Sequence, residues 1–138
     1  SMNVVPGGVT LWVDVRGVNN ESIARTLEAI KAEANAVAES DGVAIEFEML
    51  TADKPVALSE ELAKKAEAIC EAEGIDYLHM NSGAGHDAMH MAKLAPTTMI
   101  FIPCKEGISH NPAEFAKLED ICRAVEVLAK LLESEANE

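Results

Sequence analysis

The sequence is short of aromatic residues, of positive charge and of long apolar runs, and each shortage excludes a class of protein. Aromatic residues make up 4% of the 138 residues, so a core must be built from aliphatic side chains and methionine. Lys and Arg number 11 against 24 Asp and Glu, which gives a formal net charge of −13. Because that field repels phosphate groups, we expect no nucleic-acid partner and no binding to a membrane surface.

Targeting signals and patterned cysteines are also lacking. No apolar run approaches the roughly 20 residues of a membrane-spanning helix, and no signal peptide opens the chain. The three cysteines, Cys70, Cys104 and Cys122, are widely spaced and form no C-x-x-C pair, so neither a zinc knuckle nor a redox pair is indicated. We therefore expect a cytoplasmic protein whose cysteines are buried, reduced thiols.

The first third of the chain has the pattern of a β-α-β unit. In residues 9–16 apolar and polar side chains alternate strictly, which predicts a strand with one buried face. Residues 20–40 change to helical spacing, and Asp41-Gly42 ends that helix. Residues 43–50 alternate again. Residues 1–50 are therefore predicted to form a small domain with a one-sided sheet.

The remainder has the pattern of part of a parallel α/β layer. Residues 51–58 show no period and are predicted to be a linker, and Ser59 is predicted to cap a helix that ends at Gly74. The further predicted elements are strands at 75–80 and 97–103, a short helix after residues 83–86, and a last helix at 118–132 with the apolar stripe Ile121, Val125, Leu128 and Leu132. The order α-β-α-β-α places residues 59–138 in the α/β class.

Two loops after predicted strands contain candidate site residues, since ligands in open α/β sheets bind beyond the strand ends. In Ser82–Ala88, glycines allow the backbone to approach a ligand closely; a simple tight turn with His86 at the helix start explains the pattern equally well. In Gly107–Glu114, His110 has a carboxylate nearby, which suits a metal ligand. The alternative for His110 is a solvated loop histidine.

A third candidate lies on the polar face of the first predicted strand. Arg16 shares that face with Asp14, and Asn3 precedes the turn before the strand. A guanidinium and an amide on one open face are suited to holding a carboxylate through a bidentate fork. The alternative is an ordinary ion pair between Asp14 and Arg16.

Four segments, in their order along the chain, resemble the hydantoinase/carbamoylase amidase family of the M20-like metallopeptidase superfamily. They are Asn3–Gly7, Asp14–Arg16, Ser82–Ala88 and Gly107–Glu114. The family comprises N-carbamoyl-L-amino-acid hydrolase, β-ureidopropionase and allantoate amidohydrolase. The resemblance implies a catalytic α/β domain with two divalent metals, zinc or manganese, and an inserted ferredoxin-like lid that mediates dimerisation. Residues 1–50 would be half of the lid, and residues 59–138 the C-terminal part of the catalytic domain.

The resemblance also implies roles for individual residues. Asn3 and Arg16 would bind the substrate carboxylate from the lid. The segment Gly83, Ala84, Gly85 and His86 would line the substrate pocket, and His110 would be a metal ligand. The family's other metal ligands and its general-base glutamate belong to an N-terminal half that has no counterpart in these 138 residues, so no catalytic residue is assigned.

We therefore expect a fragment of an amidohydrolase that cleaves the carbamoyl or ureido C–N bond of N-carbamoyl amino acids or related ureido acids. Alone it should be inactive and should hold no stable metal, because a catalytic metal needs about three protein ligands. We expect the chain to form a homodimer or to assemble with the missing N-terminal half. The alternatives are a non-catalytic carboxylate-binding or assembly module, and one chain of a split enzyme.

Overall fold

Four α-helices and one 3₁₀ turn are formed within residues 3 and 5–137, which are the residues that the computed structural model describes. The helices are α1 (Asn20–Asp41), α2 (Glu60–Glu73), α3 (Ala88–Met91) and α4 (Leu118–Ala136), and the 3₁₀ turn (Lys105–Gly107) lies between α3 and α4. The chain divides into two units, Ser1–Pro55 and Val56–Glu138. The division lies inside residues 51–58, and the assignment of the units to a lid and a catalytic domain stays a prediction.

The ends of α1 and α2 follow from local chemistry. Asn19 accepts a hydrogen bond from the Ser22 amide at the start of α1, and Ser59 accepts one from the Leu62 amide at the start of α2. Gly42 and Gly74 end the two helices with φ values of 66° and 65°. Glycine adopts this left-handed conformation without steric cost. The predicted bounds of both helices are therefore confirmed to within one residue.

Helices α2 and α4 pack against each other and form the core of the second unit. Val127 and Leu131, one turn apart on α4, are 3% and 5% exposed, and Cys70 of α2 is also buried. Ion pairs flank this contact: Lys65 Nζ lies 2.6 Å from Glu135 Oε1, and Lys130 pairs with Glu73. Burial of a single stripe on each helix thus holds the pair together.

The buried stripe of α4 is not the one that its sequence predicts. The expected stripe is 39–62% exposed, and it consists of Ile121, Val125, Leu128 and Leu132. Apolar side chains cover a wide sector of α4 that includes both stripes. Helix α2 covers only the stripe that contains Val127 and Leu131. The pattern identified the helix correctly but selected the wrong face. Leu118 is its first residue as predicted, whereas its end at Ala136 lies four residues beyond the predicted one.

The strands are where the fold differs most from expectation. No strand is formed among the residues that the structure describes, so the four predicted strands, and with them the β-α-β lid, are not confirmed. Alternation reports the environment that side chains require, whereas a strand also needs a neighbouring segment to pair its N–H and C=O groups. Segments 9–16 and 43–50 form no strand in the described part of the chain, and Leu11 is 80% exposed. Phe101, in the predicted strand 97–103, is 49% exposed.

The cysteines also differ from expectation. All three are free thiols, but only Cys70 is buried, while Cys104 is partly buried and Cys122 is exposed. Burial raises the pKa of the Cys70 thiol. Among the described helices none has the length and apolarity needed to cross a membrane.

Candidate functional site

The loop that precedes α3 holds the side chain of His86 through a polar contact and a ring contact. The Ser82 hydroxyl lies 2.9 Å from His86 Nε2 and accepts a hydrogen bond of 3.1 Å from the Ala84 amide. The rings of His86 and Phe101 meet edge to face, with a centroid separation of 5.4 Å and an interplanar angle of 63°. Both contacts restrain the imidazole, since edge-to-face rings at this distance attract each other. His86 is thus held in one orientation and remains partly accessible.

The glycines of this loop leave room on one side of the backbone. A Cβ atom added to Gly83 would meet no heavy atom within 4 Å, and one added to Gly85 would meet only Met89 Sδ at 3.8 Å. Neither glycine has a positive φ, so neither is needed for turn geometry. The open side of Gly83, together with the Ala84 backbone and His86, is a surface on which a ligand can lie against the main chain.

His110 lies in a loop with an unusual backbone. Glu106, Gly107 and His110 all have positive φ values, of 58°, 68° and 55°. The His110 amide donates a hydrogen bond of 2.8 Å to Glu114 Oε2, which holds the residue in this conformation. Positive φ in non-glycine residues carries a steric cost and often marks a functional loop. The carboxylate predicted to lie near His110 is therefore present, but it is bonded to the His110 backbone.

Arg16 and Asp14 form the ion pair that the alternative interpretation predicts. Arg16 Nε lies 2.9 Å from Asp14 Oδ2 and Arg16 Nη2 lies 2.6 Å from the same oxygen. This hydrogen bonding lowers the pKa of the Asp14 carboxyl and raises the pKa of the Arg16 guanidinium. Both side chains are more than 60% exposed. The fork geometry expected for carboxylate binding is thus present, with Asp14 as the carboxylate.

The predicted site residues are divided between the two units. Asn3, which lies exposed in a turn, and Arg16 belong to the first, whereas Gly83–His86 and His110 belong to the second.

A shallow, open depression also lies along α1, lined by Ser22, Arg25, Thr26, Ala29, Ile30 and Glu33. It contains none of the predicted residues and is an open helix face. Sequence reasoning overlooked Ser82 and Phe101 as partners of His86, because a turn before α3, and not a helical spacing, brings Ser82 to His86.

Comparison with known proteins shows which protein family the chain belongs to. The model of peptidase family M20/M25/M40 matches residues 3–134, so the chain belongs to this family. An uncharacterised hydrolase of Haemophilus influenzae is 43% identical over 98% of this chain and 33% of its own. Allantoate amidohydrolase of Escherichia coli is 36% identical, over 96% of this chain and 32% of its own. N-carbamoyl-L-amino-acid amidohydrolase of a Pseudomonas species is 34% identical, over 91% and 30%.

Within that family the similarity is to the hydantoinase/carbamoylase branch. A crystal structure of an amidase of the hydantoinase/carbamoylase family from Burkholderia multivorans superimposes with a TM-score of 0.85 at 33% identity. The superposition covers 88% of this chain and 30% of that one. The resemblance seen in the sequence motifs is therefore confirmed, and the chain has an M20-like fold. It spans about a third of the length of the relatives that it matches.

The M20 family is generally metal-dependent, and the described residues of this chain do not fit a metal pair by themselves. Within the described ranges, no group of three or more His, Cys, Asp or Glu side chains is placed to hold an ion. The carboxylate next to His110 is already bonded to a backbone amide. A stable catalytic metal needs about three protein ligands, so His110 alone cannot retain one.

Proposed function

We propose that this chain forms the substrate-recognition part of an amidohydrolase that cleaves the carbamoyl or ureido C–N bond of N-carbamoyl amino acids or related ureido acids. The observation that carries the proposal is the match over nearly the whole chain to relatives named allantoate amidohydrolase and N-carbamoyl-L-amino-acid amidohydrolase. Such substrates combine a carboxylate with a ureido carbonyl. A site for them needs cationic or amide donors at one end and donors to a carbonyl oxygen at the other.

The proposed roles of the residues are those that the resemblance to the hydantoinase/carbamoylase family implies, and they suit this chemistry. Arg16 and Asn3 bind the substrate carboxylate, with Arg16 exchanging the carboxylate of Asp14 for that of the substrate. The segment Gly83–His86 lines the pocket around the carbamoyl group. In the assembled enzyme His110 is one metal ligand, and the remaining ligands come from residues outside these 138. Where zinc or manganese is bound, it would activate the hydrolytic water.

The isolated chain should therefore bind substrate weakly and not hydrolyse it. We expect no ammonia release from allantoate or an N-carbamoyl-L-amino acid by the chain alone, with or without added zinc or manganese. Elemental analysis after dialysis should find less than two metal ions per chain. Chelator-sensitive hydrolysis that is lost in His110→Ala would refute this expectation and reveal a complete site.

Assembly with a complementary polypeptide tests the enzyme proposal directly. The chain would be combined with the part of the Escherichia coli allantoate amidohydrolase that it does not span, and ammonia release from allantoate would be followed. Activity is expected with the native chain and strongly reduced activity with Arg16→Leu or His110→Ala. Thr10→Ala is the matched control on the Arg16 segment, and it should leave the rate unchanged.

A non-catalytic carboxylate-binding module is the second candidate. The exposed guanidinium of Arg16, which already holds the carboxylate of Asp14, favours it, because carboxylate binding there needs no metal. Trp12, two residues from Asp14 and 79% exposed, supplies a fluorescent signal for ligand binding. Titration with an N-carbamoyl amino acid that changes Trp12 fluorescence, combined with failure of every complementation, would favour the module over the enzyme part.

A further inference from the structure

The depression along α1 combines small side chains with a charge of each sign. Ser22, Thr26 and Ala29 are small and exposed, and Arg25 and Glu33 lie four residues to either side of Ala29. The Thr26 hydroxyl donates a hydrogen bond of 2.9 Å to the Ser22 carbonyl oxygen, so it needs no water to satisfy it. Because the distance between packed helices is set by the side chains at the contact, this face allows a second helix to approach closely.

Arg25 and Glu33 are exposed and have no partner within their own helix. In the part of the chain that the structure describes, neither side chain makes a hydrogen bond or an ion pair. Glu28, one turn from Arg25, instead lies 3.3 Å from Lys31. The positions one turn from Glu33 on either side are uncharged. Arg25 and Glu33 are about 12 Å apart along the helix axis, so they do not neutralise each other and remain available to another molecule.

We propose that α1 of a second copy of the chain docks in this depression, antiparallel about a two-fold axis beside Ala29. The residue four positions before Ala29 then lies level with the residue four positions after it on the other copy. Arg25 of each copy therefore pairs with Glu33 of the other, which makes the face self-complementary, as a two-fold contact requires. The two ion pairs bring opposite charges together in a molecule whose net charge of −13 otherwise repels its copies. This contact does not depend on the proposed enzymatic activity.

Charge reversal tests the contact in the 138-residue chain itself, by light scattering coupled to size exclusion. Arg25→Glu and Glu33→Arg should each raise the dissociation constant of the dimer about ten-fold or more, because each replaces two attractive pairs with two repulsive ones. A mixture of the two variants has opposite charges at both contacts. It should form a heterodimer of about native affinity, which native mass spectrometry distinguishes from either homodimer.

The matched control for Glu33→Arg is Glu133→Arg, the same change of charge at an exposed position of α4. It should leave the dimer unchanged, and equal weakening would overturn the proposal by showing that net charge alone governs association. A monomeric native chain, a dimer that neither reversal weakens, or a mixture without heterodimer would each overturn it as well. Thermal unfolding followed by circular dichroism should be the same for both single variants at concentrations where all chains are monomeric, because both side chains are exposed.

Discussion

The carboxylate of Asp14 occupies the fork of Arg16 that a substrate carboxylate would need. The two groups are joined by hydrogen bonds of 2.6–3.0 Å, and the bond lowers the pKa of Asp14. Because the pKa is lowered, the stabilisation from the ion pair is fully present above the ordinary aspartate pKa. It is lost as the pH falls through the lowered pKa and Asp14 is protonated. Near neutral pH Asp14 is therefore a competitor for any ligand at Arg16.

Removing that competitor should strengthen carboxylate binding. We expect Asp14→Asn to bind an N-carbamoyl amino acid about two- to five-fold more tightly than the native chain, because an exposed ion pair contributes only modestly. Trp12 fluorescence titration near pH 7 is the measurement. Arg16→Leu is the companion variant and should abolish the response. Weaker binding in Asp14→Asn would show that Asp14 orients Arg16 rather than competing for it.

A substitution at Gly83 tests the proposed substrate pocket without an expected change of fold. Its Cβ position is open and its φ is not positive, so Gly83→Val should fold normally while placing a branched side chain where the ligand lies. We expect the thermal midpoint to change little and the binding of N-carbamoylglycine, measured by calorimetric titration, to be lost. Gly7→Val, also in open space but outside the pocket segment, is the matched control. Undiminished binding in Gly83→Val would remove this loop from the site.

The predictability of individual site residues has a physical limit. The bidentate pair of Asp14 and Arg16 could be foreseen because residues two apart in an extended segment point the same way. The bond between Ser82 and His86 could not be read from motif similarity, since it depends on the turn made by the glycines between them. Glu114 was expected near His110, but its bond to the backbone amide follows from a loop conformation that no side-chain pattern encodes.

At the scale of elements, the contact between α2 and α4 makes the most specific stability prediction. Leu131 is 5% exposed and its neighbour Leu132 is 62% exposed on the same helix. Leu131→Ala should lower the free energy of unfolding by about 2–5 kcal/mol, as for other buried leucines. Leu132→Ala introduces the same chemical change without a cavity and should cost much less. Urea unfolding followed by circular dichroism compares them, and equal losses would mean that Leu132 is also buried in solution.

Helices were predictable and strands were not, because their hydrogen bonds have different ranges. The bonds of α1 and α2 lie within each helix, and Asn19, Ser59, Gly42 and Gly74 mark the ends in the sequence itself. A strand needs a partner segment that its own sequence does not specify. The alternation in residues 9–16 and 43–50 therefore indicates a preference for a sheet that the described part of the chain does not satisfy.

At the scale of the whole molecule, exposed apolar surface is the main feature that remains to be explained. Hydrophobic residues make up 49% of the chain, yet among the described ones only Cys70, Val127 and Leu131 are buried. Val9, Leu11 and Val13 are 64–80% exposed along one alternating segment. Exposed apolar patches and unpaired extended segments recruit other chains. The net charge of −13 opposes association, and physiological salt screens that repulsion beyond about 8 Å.

We propose that the chain covers this surface by forming a homodimer, with segment 9–16 pairing across a two-fold axis. Light scattering coupled to size exclusion at micromolar concentration should give about twice the chain mass of 14.7 kDa. Leu11→Lys places a charge on the apolar side of the segment and should shift the population toward monomer. Thr10→Lys adds the same charge on the polar side and should leave the dimer intact. Because the extended segments would become strands only when paired, the dimer should also show more β-structure in its circular dichroism than Leu11→Lys does. A native chain that runs as a monomer and unfolds cooperatively would contradict the proposal.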